Sequence, residues 1–209
     1  MHVRNSHHGD RERPGGRLPD EAYAGVPWRV REVVGEFELE DVWELPGEGT
    51  RGEFGKLVEL ICAMDPGERG SVVSRALWAV RWKVGELLGW DEEEGGLGAR
   101  VESVGRRLPE DLRDTDPPAF ARLPFVSLYI TEDEFAAEAA NETMHGVMHL
   151  GAVPSPTDPE RIRVRMAVLV KPNGLKGKAY MLAIRPFRHL IVYPAMMRQG
   201  RRMWERVAA

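Results

Sequence analysis

The chain has 209 residues, of which 43% are hydrophobic and 30% are charged, enough for one domain with a sizeable core. Its 33 acidic residues outnumber its 29 lysines and arginines, so nucleic acid is not favoured as a partner. The single cysteine, Cys62, excludes an intramolecular disulfide and a cysteine-rich zinc site.

The N-terminus shows neither a signal sequence nor a periodic pattern. Residues 1–22 are polar and rich in Gly, Pro and Arg, which predicts a disordered N-terminal arm followed by a single domain over residues 23–209. No apolar run approaches the roughly 18 residues that a membrane span needs. We therefore expect a soluble, cytoplasmic protein.

The first predicted strand is the stretch "EFELEDVWELP". Its apolar residues Phe37, Leu39, Trp43 and Leu45 alternate with glutamates, which predicts a strand with one solvated face. Asp41 and Val42 interrupt the alternation, and such an interruption is typical of a β-bulge.

Two segments with helical periodicity come next, at residues 54–64 and 72–88. The second carries Arg81, whose guanidinium either reaches past the buried face to solvent or binds a ligand carboxylate. Residues 97–120 are then irregular and rich in Pro and charge, with only a weak strand pattern in "ARVESV".

The stretch "TEDEFAAEAAN" permits two structures. Thr131 and Glu134 have the spacing of a capping box, which indicates a helix. Phe135, Ala137 and Ala139 alternate with their neighbours, which indicates a strand leading to a turn at Asn141.

The clearest strand is "RIRVRMAVLV", residues 161–170. Its arginines predict a solvated face over the first half, while the second half is apolar on both faces. The last segment, residues 175–207, has a helical apolar stripe interrupted by Pro186 and Pro194. Prolines inside a helix predict a bent axis.

The order of strand, two helices, antiparallel strands and long C-terminal helix resembles the helix-grip fold of the Bet v 1/START/polyketide-cyclase-like (SRPBCC) superfamily. This resemblance implies an α+β fold in which a curved antiparallel sheet wraps around a long kinked helix, with a cavity between them. In that fold two short helices follow the first strand, and these would be 54–64 and 72–88.

Three stretches resemble the bacterial domain-of-unknown-function 2867 family: "SRALWAVRWKVGELLGWD", "SLYITEDEFAAEAANETMHGVMHLGAV" and "MAVLVKPNGLKGKAYMLAIRPFRHLIVYPAMMRQ". The family implies no established activity, and it favours paired strands for "EFAAEAAN" and "TMHGVMHLGAV". In some relatives a similar domain follows an NAD(P)-binding domain. This chain lacks a strand followed by G-x-G-x-x-G, so we expect no cofactor.

Two histidines, His145 and His149, lie four apart in "NETMHGVMHLGAV". On a strand, four residues span roughly 13 Å, so one metal ion cannot bridge them. No metal site is therefore predicted. The two side chains line either the cavity or the solvated face, and as cavity residues they could act in acid–base chemistry.

Other side chains are weaker candidates. The residues that could contact a ligand besides His145 and His149 are Tyr129, Tyr180, Arg81 and Phe187, and Tyr180 could also act as an acid or base. Glu134 and Glu138 are expected to be solvated, and His189 to be a structural residue hydrogen-bonded to the backbone.

Three functions remain open. The protein could bind a small hydrophobic molecule in the cavity. It could be a cyclase- or dehydratase-like enzyme using His145, His149 and Tyr180. It could instead be the partner of a separate oxidoreductase, and a homodimer is also possible.

Overall fold

The structure, a computed structural model, describes residues 15–64, 101–141 and 143–207. Within these ranges, seven strands form one antiparallel sheet in the order β1-β2-β7-β6-β5-β4, with β3 also paired to β7. The strands are β1 (Gly16–Leu18), β2 (Glu38–Glu44), β3 (Gly49–Thr50), β4 (Val126–Ile130), β5 (Glu134–Ala140), β6 (Met144–Pro154) and β7 (Arg161–Pro172). The fold is therefore α+β, as predicted.

The start of the chain departs from the predicted disordered arm. From Gly16 onward the prediction is wrong, because β1 pairs with β2 and a short helix, α1 (Asp20–Ala24), follows it. Tyr23 and Trp28 are buried just beyond, so this segment belongs to the core. Residues 1–14 lie outside the described part of the chain.

The predicted bulge in β2 is confirmed, because the register with β7 shifts between Leu39 and Asp41. An extra residue changes the face to which the following side chains point. Leu39 therefore packs on one side of the sheet, whereas Trp43 and Leu45 pack on the other.

The predicted solvated faces of β2 and β7 are partly wrong. Glu44 and Arg163 are both buried, and their side chains lie 3.3 Å apart across the sheet. Arg163 also donates to Glu48 at 2.6 Å. Opposite charges on facing strands allow this part of the sheet to be covered without leaving a buried charge unpaired.

Residues 134–140 form a strand, so the helix suggested by the capping-box spacing is wrong. β5 and β6 are antiparallel neighbours, with Ala136 opposite His149 and Ala140 opposite His145. Of "ARVESV", the structure describes residues 101–104, among which Val101 forms an isolated bridge and Val104 begins a 3₁₀ turn.

The predicted helix over 54–64 is confirmed as α2 (Phe54–Cys62), and a short helix, α3 (Glu110–Arg113), follows a 3₁₀ turn at Val104–Arg107. The predicted helix at 72–88, with Arg81, lies outside the described residues. The C-terminal helix consists of α4 (Gly174–Phe187), a π-helical segment (Arg188–Val192) and α5 (Tyr193–Val207). Its axis bends by 28°, which confirms the predicted kink.

The sheet is covered on both faces. One face, here called the C-terminal face, packs against α2, the π-helical segment and α5. The opposite face, here called the N-terminal face, packs against residues 18–39 and 104–112. The sequence did not predict this second covering layer, and its presence determines which candidate residues are enclosed.

Candidate functional site

The N-terminal face contains two buried histidine–glutamate pairs. Glu134 and Glu138 project from β5, and His149 and His145 project from β6 beside them. The Nε2 atom of His149 lies 3.0 Å from Glu134 Oε2, and the Nε2 atom of His145 lies 2.8 Å from Glu138 Oε2. The repeated four-residue spacing on both strands therefore produces the same pair twice.

Glu134 is saturated with hydrogen bonds. Besides His149, its carboxylate accepts from the Tyr129 hydroxyl at 2.9 Å and from the backbone N–H groups of Arg29 and Val30 at 2.9 and 3.4 Å. Burial alone would raise the pKa of Glu134, but the hydrogen bonds outweigh it and hold the pKa below its usual value. The carboxylate is therefore ionised at neutral pH.

His149 is neutral in this arrangement. It is fully buried, and burial lowers its pKa despite the neighbouring carboxylate. Because ionised Glu134 only accepts, Nε2 of His149 carries the proton, and Nδ1 accepts from the Tyr23 hydroxyl at 3.2 Å. Burial raises the pKa of Tyr23, which keeps this hydroxyl protonated.

Glu138, four residues further along β5, has a similar set of hydrogen-bond donors. Its carboxylate accepts from the Ser103 hydroxyl and, at 2.9 Å, from the backbone N–H of Val104. Burial would raise the pKa of Glu138, but the hydrogen bonds from His145, Ser103 and Val104 lower it overall.

Each glutamate also binds the N-terminus of a 3₁₀ turn. Glu134 accepts the first N–H groups of the turn Arg29–Glu32, and Glu138 accepts the first N–H of the turn Val104–Arg107. Backbone N–H groups at the start of a helix have no intrahelical partner, and a carboxylate satisfies them well. The expectation that both glutamates are solvated is therefore wrong, because they attach the covering layer to the sheet.

These positions decide where His145 and His149 point. Both lie on the N-terminal face, away from the C-terminal helix, and His149 and Tyr129 are enclosed by the covering layer. They therefore do not form the wall between the sheet and that helix. Their contacts are those of residues that stabilise the fold.

The C-terminal face contains a different polar cluster around Asp41, which the bulge places on this side of β2. Its buried carboxylate accepts from the Tyr193 hydroxyl at 2.8 Å and lies 3.2 Å from Arg188 and 3.0 Å from His189 Nε2. The Nε atom of Arg17, a partly exposed side chain, lies 3.4 Å from Asp41 Oδ1. Burial raises the pKa of Tyr193, so its hydroxyl remains a donor.

The C-terminal partners of Asp41 come from one irregular stretch of helix. Arg188 and His189 lie in the π-helical segment, and Tyr193 begins α5. A π-helical segment admits an extra residue per turn and is frequent at functional sites. The bulge and this segment together bring four polar side chains to one place on an otherwise apolar face.

Four buried polar atoms in this cluster have no hydrogen-bond partner among the described residues: the donors Trp43 Nε1 and Arg188 Nε, together with Asp41 Oδ1 and His189 Nε2. The Trp43 ring packs against Tyr193 in a tilted arrangement, with 4.5 Å between centroids, and lies 6.1 Å from the His189 ring. A buried donor without a partner costs about 1–3 kcal/mol, so such groups call for an explanation.

His189 retains 22% side-chain exposure beside the enclosed Asp41. The expected hydrogen bond to the backbone is not found at Nε2, which has no hydrogen-bond partner among the described residues and lies close to the Asp41 carboxylate. The ring is therefore partly exposed, while its Nε2 atom is buried 3.0 Å from Asp41 Oδ1 without forming a hydrogen bond.

The remaining candidates are less informative. Tyr180 is half-buried on α4, and the side chain of Phe187 lies outside the described part of the structure, as does Arg81. Cys62 is buried in the core, and burial raises its pKa to about 11, as expected for an unreactive thiol.

No three His, Cys, Asp or Glu side chains in the described ranges are placed to hold one metal ion. Among the helices in the described ranges, none combines the length and apolar character required to span a bilayer.

The sequence held a partial signal for the Asp41 cluster. The break in alternation at Asp41 predicts the bulge, and Pro186 predicts the bend in the C-terminal helix. The contact between these two irregularities is a tertiary feature, so neither pattern identifies the other as its partner.

Comparison with known proteins gives one match. The model of the family DUF2867, described as a protein of unknown function, matches residues 33–195, which include both histidine–glutamate pairs and Asp41 with its partners on the C-terminal helix. No curated protein and no solved structure matches the chain.

Proposed function

Because the chain belongs to the DUF2867 family, whose description assigns no activity, we propose a function from its own geometry: it binds a small, largely apolar molecule beside Asp41. The observation that carries this proposal is the pair of buried donors, Trp43 Nε1 and Arg188 Nε, that lack acceptors among the described residues. A ligand with a carboxylate or carbonyl oxygen would supply the kind of acceptor that these donors lack.

The surroundings suit a ligand of this kind. Val168, Met196 and Met197 are partly buried on the same face, and Trp43 and Tyr193 add aromatic area. Methionine side chains adapt to irregular shapes, and a few fixed polar groups in an apolar site orient a ligand. Asp41 disfavours a second negative charge nearby, so we expect one acceptor group on an otherwise apolar molecule.

The first experiment is native mass spectrometry of the purified full chain, in which we expect a copurifying small molecule. The second is titration with 8-anilinonaphthalene-1-sulfonate, an apolar anion whose fluorescence rises on binding. Trp43→Phe removes one of the two donors, so we expect it to weaken binding of this probe about tenfold, the equivalent of one hydrogen bond.

The matched control is Trp28→Phe, on the N-terminal face. Trp28 is also a buried tryptophan, but its Nε1 already donates to the Tyr23 carbonyl at 3.1 Å. We expect this variant to bind the probe like the unchanged protein. Equal weakening in both variants, together with no copurifying molecule, would contradict the proposal.

A second candidate is an enzyme of the cyclase or dehydratase type, and the exposed edge of His189 beside Asp41 supports it. In this case His189 moves the proton and the nearby Asp41 carboxylate stabilises the protonated ring. Incubating any copurified molecule with the protein would then release a product of changed mass. His189→Gln should bind that molecule and leave its mass unchanged.

A further inference from the structure

Exposed leucines are concentrated on one part of the C-terminal helix. Four large hydrophobic side chains stand out as exposed in the described ranges, and three of them belong to α4 and the π-helical segment. Leu175 is 86% exposed, Leu182 70% and Leu190 76%, whereas the fourth, Val126, lies on the edge strand β4.

The three leucines follow the helix axis. Leu175 and Leu182 are seven residues apart, which is close to two helical turns, so they project from the same side. Ala179, Ala183 and Pro186 are exposed between Leu175 and Leu190, and they keep this surface free of polar side chains. We call the row from Leu175 to Leu190 the leucine stripe.

The opposite side of α4 is fixed to the sheet. Met181 is buried, and Gly177 lies so close to the β5–β6 turn that a Cβ there would be 2.1 Å from the Thr143 carbonyl oxygen. The helix therefore cannot rotate to bury its leucines without losing this contact. The leucine stripe is a fixed outward surface.

The charged residues of α4 have one sign. Lys176, Lys178 and Arg185 are exposed on α4, and none of them forms an ion pair with a described residue. Residues 174–187 contain these three cations and no Asp or Glu, although the whole chain has a net charge of −4. The helix α4 is therefore positively charged, although the protein as a whole is acidic.

We propose that the leucine stripe docks on the surface of an anionic lipid bilayer. Exposed leucines with flanking lysines and arginines are the composition of a helix that lies in the membrane interface. The leucines enter the acyl boundary, while the cations remain at the level of the lipid phosphates.

A bilayer fits this surface better than a protein does. Three leucines on a convex helix offer well under the ~800 Å² per partner of a standard protein interface, whereas a bilayer needs no complementary pocket. A symmetric contact with a second copy would bring the same cations together, which is unfavourable.

The test is co-sedimentation of the full chain with vesicles, at low salt. One set contains phosphatidylcholine alone, and the other contains equal parts of phosphatidylcholine and phosphatidylglycerol. We expect binding to the mixed vesicles and much weaker binding to the neutral ones. Added salt should release the protein, because it screens the attraction.

Two triple variants separate the contributions of charge and apolar contact. Replacing Lys176, Lys178 and Arg185 with glutamine should weaken binding roughly 100-fold, since each cation near an anionic surface contributes about fivefold. Replacing Leu175, Leu182 and Leu190 with serine should weaken it at least about tenfold. Val126→Ser and Lys56→Gln are the matched controls and should bind like the unchanged protein.

All these positions are exposed, so circular dichroism should show an unchanged fold in every variant. The proposal is overturned if the unchanged protein does not sediment with the mixed vesicles, or sediments equally with neutral ones. It is also overturned if the leucine variant retains full binding. A dimer in sedimentation velocity that the leucine variant abolishes, without vesicle binding, would assign the leucine stripe to a second copy of the chain.

Discussion

The two faces of the sheet use similar residues in opposite ways. On the N-terminal face, His149 and Glu134 are enclosed, and each polar atom named above has a protein partner. On the C-terminal face, Asp41 is equally buried, but His189 beside it is partly exposed and two neighbouring donors lack acceptors. A histidine next to a carboxylate is therefore not by itself a sign of activity, because hydrogen-bond saturation distinguishes the two cases.

The difference has a cause in the chain. The N-terminal pairs lie on regular strands and meet the N-termini of two 3₁₀ turns, which supply donors at fixed positions. The Asp41 cluster forms where a bulged strand meets a π-helical segment, and neither element continues its regular hydrogen-bond ladder there.

The largest expected effect tests whether the N-terminal face is structural. Glu134→Ala leaves His149, Tyr129 and two backbone N–H groups without their shared acceptor. Removing one partner of a buried charged network costs about 3–5 kcal/mol, so we expect the free energy of unfolding in urea to fall by that amount.

The control for this prediction is Glu132→Ala, two residues earlier and exposed. A surface substitution of this kind should change the free energy of unfolding by less than about 0.5 kcal/mol. If Glu134→Ala were as mild as its control, the carboxylate would not hold the covering layer, and the contrast between the faces would disappear.

A smaller effect compares one tryptophan on each face. Trp28 Nε1 donates to the Tyr23 carbonyl, whereas Trp43 Nε1 has no acceptor among the described residues. Each tryptophan also packs against a tyrosine ring, so conversion to Phe removes similar apolar area from both. Trp28→Phe should therefore destabilise the ligand-free protein by about 1 kcal/mol more than Trp43→Phe, which is the value of one hydrogen bond.

Urea denaturation of the two variants measures this difference directly. Equal losses would mean that Trp43 Nε1 has an acceptor in the ligand-free protein, and the argument for a ligand beside Asp41 would lose its main support.

The sequence predicted the elements of the sheet better than it predicted their surroundings. Alternation identified β2 and β7, the interruption at Asp41 identified the bulge, and the prolines identified the bend of the C-terminal helix. These features are local, since each depends on residues within a few positions of one another.

The covering layer on the N-terminal face could not be predicted in the same way. Residues 16–24 have the composition of a solvated arm, and they are ordered because β1 pairs with β2 and Tyr23 packs beside His149. Once this layer is in place, Glu134 and Glu138 change from solvated strand residues into buried ligands of backbone N–H groups. Their local pattern is identical in both situations, so only the tertiary structure distinguishes them.

The remaining prediction concerns pH and the protonation of His149. In the folded protein its pKa is lowered from an ordinary value of 6.5, mainly by burial. Below about pH 6.5 His149 is protonated in the unfolded chain but stays neutral in the folded protein. The free energy of unfolding therefore falls as the pH drops below about 6.5. The slope should approach about 1.4 kcal/mol per pH unit for this one group.

Protonation of Glu134 also lowers the free energy of unfolding as the pH falls, but at lower pH than His149. Its folded pKa lies below the ordinary value of 4.5, so its contribution is complete above that value and is lost as the pH falls through the folded pKa. Between about pH 7 and pH 5 the loss of stability should therefore come from His149 rather than from Glu134.

His149→Phe separates the two groups. It removes the imidazole but keeps an aromatic ring against Tyr23 and Trp28, so we expect a less stable protein whose urea midpoint changes less over this pH range than that of the unchanged chain. Parallel curves for the two proteins would mean that His149 is charged when folded. The pair with Glu134 would then be an ion pair able to exchange its proton, and the N-terminal face could no longer be set apart from the Asp41 cluster on electrostatic grounds.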